Sequence, residues 1–435
     1  MSSTTAESAQ PVGAPEKVGS YRYFVLFVLL IIYTLNFLDR QFLSVLAVPV
    51  MRDLHLNKTQ LGALTGPLFA LFYTVISIPI GMLADRIHRV GIASVACAVW
   101  SAFTAACGFA TNFMSLAIPR MGVGVGEAGG SPVFYSIVSD YFPPRQRGLA
   151  LAIFSLGVPF GTMFGVMSGS YIAVHFGWQA AFKTLGVFGL VAAPIMYLVV
   201  REPPRGRFEG GAVEPAGNPL SVIGAFLSRP MLAFTALACG LTAFVGYGML
   251  QWAPAFLILS KHMSQSQVGI YYGLMTGITG AIGTFASGWL VDWLGHKRPR
   301  AYAMVPAISI LLSLPFLVAA VNAPTWQIAL VLLAGPNLLN NMYLAPALAV
   351  VQNAVNPRQR VVSGAFLLFV LNLVGLGGGP LFVGMMADFF GKTHGEGAGI
   401  GLGLLSLAPF FVAAFLVQIV AGHFISTNAK RAKAA

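Results

Sequence analysis

The chain has 435 residues, 57% of them hydrophobic and only 9% charged, with a formal net charge of +12. A soluble protein carries roughly a quarter charged residues, so a mean hydropathy of +0.79 excludes a soluble enzyme, a nucleic-acid binder and a disordered scaffold. Most of the positive charge sits in short loops between apolar runs, an orientation signal for a membrane protein. Cys97, Cys107 and Cys239 all lie in apolar stretches, so neither a disulfide framework nor a Cys/His metal cluster is expected, and no cofactor.

Residues 1–20 are polar and rich in Pro, Ser and Ala, with no apolar core and no cleavage site; they read as a disordered cytoplasmic tail rather than a signal peptide. Runs long enough for a bilayer core of about 30 Å then follow near 21–50, 59–84, 91–110, 113–138, 148–174 and 180–200. A polar stretch, 201–228, breaks the pattern with Arg201-Glu202-Pro203-Pro204-Arg205-Gly206 and reads as a cytoplasmic linker. Six more runs lie near 229–258, 266–293, 301–321, 325–351, 361–388 and 400–426, before a short cytoplasmic tail, 427–435. The expected fold is an all-α integral membrane protein of twelve transmembrane helices in two six-helix bundles, 21–200 and 229–426. Eighteen Lys and Arg fall on the side of the two termini and five (Arg52, Lys58, Lys183, Lys261, Lys392) on the other, which puts both termini in the cytoplasm.

The halves echo each other. Gly81-x-x-x-Asp85-Arg86-x-His88-Arg89 after span 2 returns as Gly288-x-x-x-Asp292-x-x-Gly295-x-Lys297-Arg298 after span 8, and Pro144-Arg145-Gln146-Arg147 returns as Pro357-Arg358-Gln359-Arg360. Parallel six-helix repeats with this loop pattern resemble the major facilitator superfamily. On that resemblance Asp85, Arg86, Arg89, Asp292, Arg147 and Arg360 are expected to act in gating on the cytoplasmic side.

An ionisable group at the bilayer centre costs about 2.5–3.5 kcal/mol even on the lenient scale. Asp39 in span 1 and Arg120 and Glu127 in span 4 fall at overlapping depths, and Arg120 and Glu127, seven residues apart, project from one helix face. Such sets mark ion or substrate pathways; the competing reading is a cluster that only fixes helix packing. Arg40 lies 100° around the helix from Asp39 and is expected to face a different neighbour. The second half has no charge well inside a span and offers neutral groups instead, among them Tyr247, Asn337, Asn340, Asn341 and Asn372. Asn337, Asn340 and Asn341 have the spacing of one helix face; bundle hydrogen bonds and substrate contact explain them equally well. Aromatics near the cavity, Phe69 and Tyr73 among them, read as packing. A charged wall facing an apolar, amide-bearing wall suits an amphiphile whose polar head meets Arg120. In span 5, Gly157, Gly161, Gly165 and Gly169 permit close helix contact, and the run Gly375 to Pro380 is a point where span 11 can bend.

Tyr33-Thr34-Leu35-Asn36-Phe37-Leu38-Asp39-Arg40-Gln41, the block from Arg120 to Gly129, Asp140-Tyr141-Phe142-Pro143-Pro144 and the linker's Arg201 to Gly206 together resemble the Spinster family. The resemblance implies a proton-coupled transporter of a lysophospholipid- or sphingoid-type amphiphile, with Asp39 and Glu127 coupling protons and Arg120, Asn36, Tyr247, Asn337, Asn340 and Asn372 meeting substrate. It also implies a monomer in a bacterial inner membrane, working by rocker-switch alternating access. An organic-anion or carboxylate symporter or a drug-efflux antiporter of the same superfamily is the alternative. An enzyme is not expected, since no convergent His/Asp/Ser set lies inside the spans.

Overall fold

The structure, a computed structural model, describes residues 19–84, 86–208, 219–295, 298–356 and 359–434; the expected N-terminal tail to residue 18 and the middle of the linker lie outside them. Six transmembrane segments build the first half: α1 (Tyr21–Val45), α2 (Lys58–Ala84), α3 (Arg89–Cys107), α4 in two pieces (Phe113–Glu127 and Ser131–Tyr141), α5 (Pro144–Phe176) and α6 (Trp178–Val199). The second half holds α7 (Pro230–Leu259), α8 (Gln265–Gly295), α9 (Ala301–Asn322), α10 (Trp326–Ala354), α11 (Val362–His394) and α12 (Glu396–Ala429).

Among the described residues, 11 of these segments are long and apolar enough to cross a membrane. The twelfth, α4, falls short because its helix stops at Glu127 and restarts only at Ser131. Gly129, Gly130 and then Pro132 at the new helix start cannot carry the ladder through. A second interruption splits α10: helix ends at Asn340 and resumes at Leu344. Asn341 therefore sits at a helix end and does not extend the face of Asn337 and Asn340. In α11 the ladder loosens just before the glycine-rich run, as a π-helical turn over Leu371–Leu376 that takes in only Gly375, while Gly377 to Pro380 begin a regular α-helix. The final helix runs on to Ala434, so the segment expected as a tail continues α12.

Lipid is as apolar as leucine, so helices in it associate through close packing rather than through escape from water. The glycines of α5 supply that packing. A methyl group at Gly161 would lie 2.6 Å from Cβ of Phe37 and 2.6 Å from the Thr34 carbonyl, and one at Gly165 would lie 2.8 Å from the Leu38 carbonyl. The stripe seats α1 along α5, which leaves the Asn36, Asp39 and Arg40 positions to face α3 and α4.

The internal repeat extends to the opposite end of the bundle, where the sequence reading placed no landmark. His55 and His262 both adopt left-handed backbone, with φ of 52° and 55°. Each is followed at the same spacing by a capping box, Asn57 with Gln60 before α2 and Ser264 with Gln267 before α8. Gly177 and Gly395, with φ of 83° and 85°, close α5 and α11 in the same way.

The two halves meet at this end, away from the chain termini. Ser44 Oγ donates to the carbonyls of Leu250 and Gln251 at 2.9 Å, and Gln265 Nε2 donates to the Val45 carbonyl at 2.9 Å and to Ser170 Oγ at 3.1 Å. One apolar cluster runs through both halves here, from Leu43 and Leu64 to Trp252, Val268 and Val383. At the end carrying the termini, methyl groups at Gly81, Gly148, Gly288 and Gly364 would meet nothing within 4 Å. These four glycines sit on α2, α5, α8 and α11, the helices that are in contact at the other end. The molecule is thus closed at one end and open at the end of its termini.

Replacing Gly161 by Leu is expected to lower the melting temperature in detergent by several degrees, in line with the ~1–3 kcal/mol cost of overpacking. Gly148→Ala, which meets no neighbour, should leave it unchanged; equal effects of the two would contradict the packing described.

Candidate functional site

Four charged side chains occupy the middle of the first half. Asp39, Arg120 and Glu127 are almost fully buried, and Arg40 keeps 11% of its side-chain surface. They do not form one three-membered cluster. Arg120 Nη1 donates to Asp39 Oδ1 at 3.2 Å, and Arg40 Nε donates to Glu127 Oε2 at 2.6 Å. Arg40, expected to face elsewhere, is therefore the partner of Glu127. The geometry explains this: Arg120 and Glu127 are separated by about 10 Å along α4 at 1.5 Å per residue. No single guanidinium serves both levels. A long side chain on α1 leans back toward that helix's N-terminus, which brings the Arg40 head to the level of Glu127.

Neighbouring helices complete both pairs. Thr104 Oγ1, on α3, donates to Asp39 Oδ2. It reaches α1 because Gly122 and Gly126 let α4 press directly on Phe103 and Trp100 of α3. The aromatics are more than packing. Arg40 lies 4.8 Å from the ring centre of Phe37, 5.2 Å from that of Phe69 and 4.7 Å from that of Tyr73. Arg120 lies 5.3 Å from Phe69, so one buried ring serves both guanidiniums, and ring faces attract cations most where water is excluded. With both acids ionised the quartet is neutral. Adding one proton leaves it at +1.

Several polar atoms of this set have no hydrogen-bond partner: Asn36 Nδ2, Arg40 Nη2, Arg120 Nε and Glu127 Oε1. Buried polar groups are normally satisfied, and an unpaired one costs about 1–3 kcal/mol. The site thus holds unused donors beside an unused acceptor.

The predicted second-half residues are distributed differently. Tyr247 packs against the first-half aromatic cluster that contains Phe69 and Phe134. Asn337 Nδ2 donates to the Thr276 carbonyl at 3.1 Å and to Thr279 Oγ1 at 2.7 Å, tying α10 to α8. Asn341 Nδ2 donates to the Asn337 carbonyl at 2.6 Å. Asn340 Oδ1 is buried without a partner. Together Asn337 and Asn340 edge a small cleft lined by Met249, Leu250, Tyr272, Met275 and Leu333. Asn372 lies half-buried on the π-helical turn of α11.

Of the expected gating residues, Asp85 falls outside the described residues. Arg89 is buried and binds within its own half: to the Asp140 carboxylate, to Glu202 Oε1 at 2.7 Å and to the Pro203 carbonyl at 2.8 Å. It fastens the start of the linker to α3 and α4 and does not bridge the halves in this conformation. Arg360 Nε likewise donates within its half, to the Gln352 carbonyl at 3.0 Å. Arg86 and Asp292 are exposed at the open end, and Arg147, in the first turn of α5, is half-buried. Thr104 carried no sequence signal, being one of three hydroxyls, with Ser94 and Ser101, in an otherwise apolar helix.

The family model of the Major Facilitator Superfamily matches residues 29–378. The chain is 31% identical over 400 residues to an MFS-type efflux pump of Mycolicibacterium smegmatis, covering 91% of this chain and 92% of that one. It is 30% identical over 382 residues to human protein spinster homolog 1, covering 83% and 72%. To a hexuronate transporter of Bacillus subtilis it is 28% identical over 398 residues, covering 89% and 92%. Among solved structures, a bacterial homologue of the human lysosomal transporter Spinster, inward-facing and unoccupied, superposes with a TM-score of 0.85 at 31% identity over 93% of this chain and 98% of that chain. The occupied inward-facing form of such a homologue gives 0.77 at 31% identity over 95% and 97%.

Double-mutant cycles on thermal stability should give strong coupling for Asp39 with Arg120 and for Arg40 with Glu127, and weak coupling for Arg120 with Glu127. Removing one partner of a buried pair costs about 3–5 kcal/mol, much of which the second, charge-removing substitution should restore. A stronger Arg120–Glu127 coupling than Arg40–Glu127 would reverse the pairing.

Proposed function

The chain belongs to the major facilitator superfamily, among its Spinster members, and from that premise we propose that this membrane transporter couples protons to the movement of an amphipathic, lipid-like molecule. The observation that carries the reading is the neutral two-by-two charge quartet of the first half, set opposite a second half with no charge at that depth among the described residues. Each carboxylate has its own guanidinium, so protonating Asp39 or Glu127 releases a cation without leaving a buried anion unpaired. The freed Arg120 or Arg40 then takes the anionic part of a headgroup. Conversely, a bound phosphate that draws the guanidinium away favours protonation of the desolvated acid it leaves behind. Proton and substrate are linked through one shared cation, and Arg40 serves as well as Arg120.

The unused Glu127 Oε1 beside the unused Arg40 Nη2 fits a head carrying both signs of charge, as in a zwitterionic lysophospholipid. The Met- and Leu-lined cleft of the second half fits its chain, and the Asn340 amide fits an ester or hydroxyl near the chain's start. Loss of the closed end and closure of the open one, with the halves rocking about the central site, then carries the molecule across. In this reading the termini are cytoplasmic, the membrane is a bacterial inner membrane and one chain suffices.

A soluble carboxylate is the second reading, supported by the similarity to the hexuronate transporter, because a guanidinium accepts carboxylate as readily as phosphate. The apolar cleft favours the lipid.

In proteoliposomes with an imposed pH gradient, a fluorescent lysophospholipid should be moved by the parent protein. Asp39→Asn and Glu127→Gln should each cut gradient-driven transport by about tenfold or more while eluting as folded monodisperse protein. Unchanged gradient dependence in both variants would remove the coupling assignment. Transport of hexuronate with no transport of the lipid would favour the second reading.

A further inference from the structure

At the closed end, the carboxylate of Asp388 on α11 reaches across to the first turn of α2. Oδ1 accepts from the backbone amide of Lys58 at 3.1 Å, and Oδ2 accepts from the amide of Thr59 at 2.7 Å and from Thr59 Oγ1 at 2.6 Å. Lys58 Nζ lies 3.7 Å from Oδ1. The first amides of a helix have no partner within it. Here the helix's own cap, Asn57, satisfies only Gln60, whose amide donates to Asn57 Oδ1 at 2.7 Å. Asp388 takes the two amides that the cap leaves over, and it brings a negative charge to the positive end of the helix dipole. A carboxylate of the second half thus completes a helix start of the first.

The repeat supplies an internal control. Lys58 stands three residues after His55, as Gln265 stands three after His262; Asp388 stands seven residues before Gly395, as Ser170 stands seven before Gly177. The other seam between the halves accordingly joins Gln265 to Ser170, at 3.1 Å and without charge. The Ser170 hydroxyl meets the side chain of Gln265, and the start of α8 is capped by its own Ser264. Among the described residues at this end, the bonds to Asp388 are the charged ones that join the halves. The seam around them is tight, since a methyl group at Gly62 would lie 2.6 Å from the Pro380 carbonyl and one at Gly384 would lie 2.4 Å from the Lys58 carbonyl.

We propose that Asp388 is a latch: it holds the end away from the termini shut by capping α2 across the two halves, and opening of that end requires the carboxylate to leave the amides of Lys58 and Thr59. The α2–α11 seam is the one that parts under control, and the neutral α5–α8 seam has no equivalent lock. The proposal concerns conformation alone, so it stands or falls independently of which substrate the protein carries and of proton coupling.

The test is a distance measurement between spin labels at Thr111 of the first half and Lys392 of the second, both exposed near this end, with Cys97, Cys107 and Cys239 replaced by alanine. Asp388→Asn and Asp388→Ala should each raise the long-distance population about tenfold, as loss of charged hydrogen bonds implies. Lys58→Met, which removes the ammonium but keeps the amide, and Ser170→Ala should stay within about twofold of the parent. Distance distributions unchanged by both Asp388 substitutions in folded protein would overturn the latch. Opening by Lys58→Met as great as by Asp388→Asn would overturn the helix-capping basis. Hydrogen exchange on the unmodified protein gives a check that does not depend on variants folding: the amides of Lys58 and Thr59 should be protected, and exchange at free-amide rates would also overturn the proposal.

Discussion

Two ion pairs inside a hydrocarbon environment set the terms for everything else in the first half. Asp39 and Arg40 are consecutive on α1, and each meets an opposite charge on α4. Charges in such surroundings persist only when paired, so α1 and α4 must stay within reach at two levels at once. The α5 glycine stripe, the pressure of Gly122 and Gly126 on α3 and the placement of Thr104 all serve that requirement. The break in α4 directly after Glu127 ends the helix where the lower pair needs its acid.

Much of this was legible in the residues themselves. Apolar run lengths and the recurring loop motifs defined the two-half architecture, and Asp39, Arg120 and Glu127 stood out because charge in a span needs a reason. What the sequence hid was the partner of Glu127. Helical rotation puts Arg40 on a different face from Asp39, but the rotation says nothing of how far an arginine reaches along the axis, and that reach decided the pairing. The breaks in α4 and α10 were equally hidden, because hydropathy counts apolar residues and is blind to whether glycine or a carbonyl-capping amide such as Asn341 interrupts the ladder between them. Asn337 turned out to hold two helices together, while Asn340, one turn on, keeps an unused oxygen; identical residue types in one run make different contacts.

The asymmetry between the halves recurs at two depths. At mid-membrane, charge belongs to the first half and apolar surface to the second. At the closed end, one seam is ionic and its repeat-related counterpart neutral. Duplicated architecture therefore supports unequal halves: the backbone landmarks at His55 and His262, and at Gly177 and Gly395, were retained, while the side chains seated on them diverged.

Two of the first-half partners of Asp388 are main-chain amides, beside the Thr59 hydroxyl and the Lys58 ammonium, and that has an evolutionary consequence. Substitutions at positions 58 and 59 leave the amides in place, proline excepted, so the capping part of the contact imposes almost no pairwise constraint on amino-acid identity. Covariation between columns of related sequences, which detects contacts through compensating replacements, would pass over it. Contacts of this kind in other helical carriers would be equally silent to such statistics, and only coordinates reveal them.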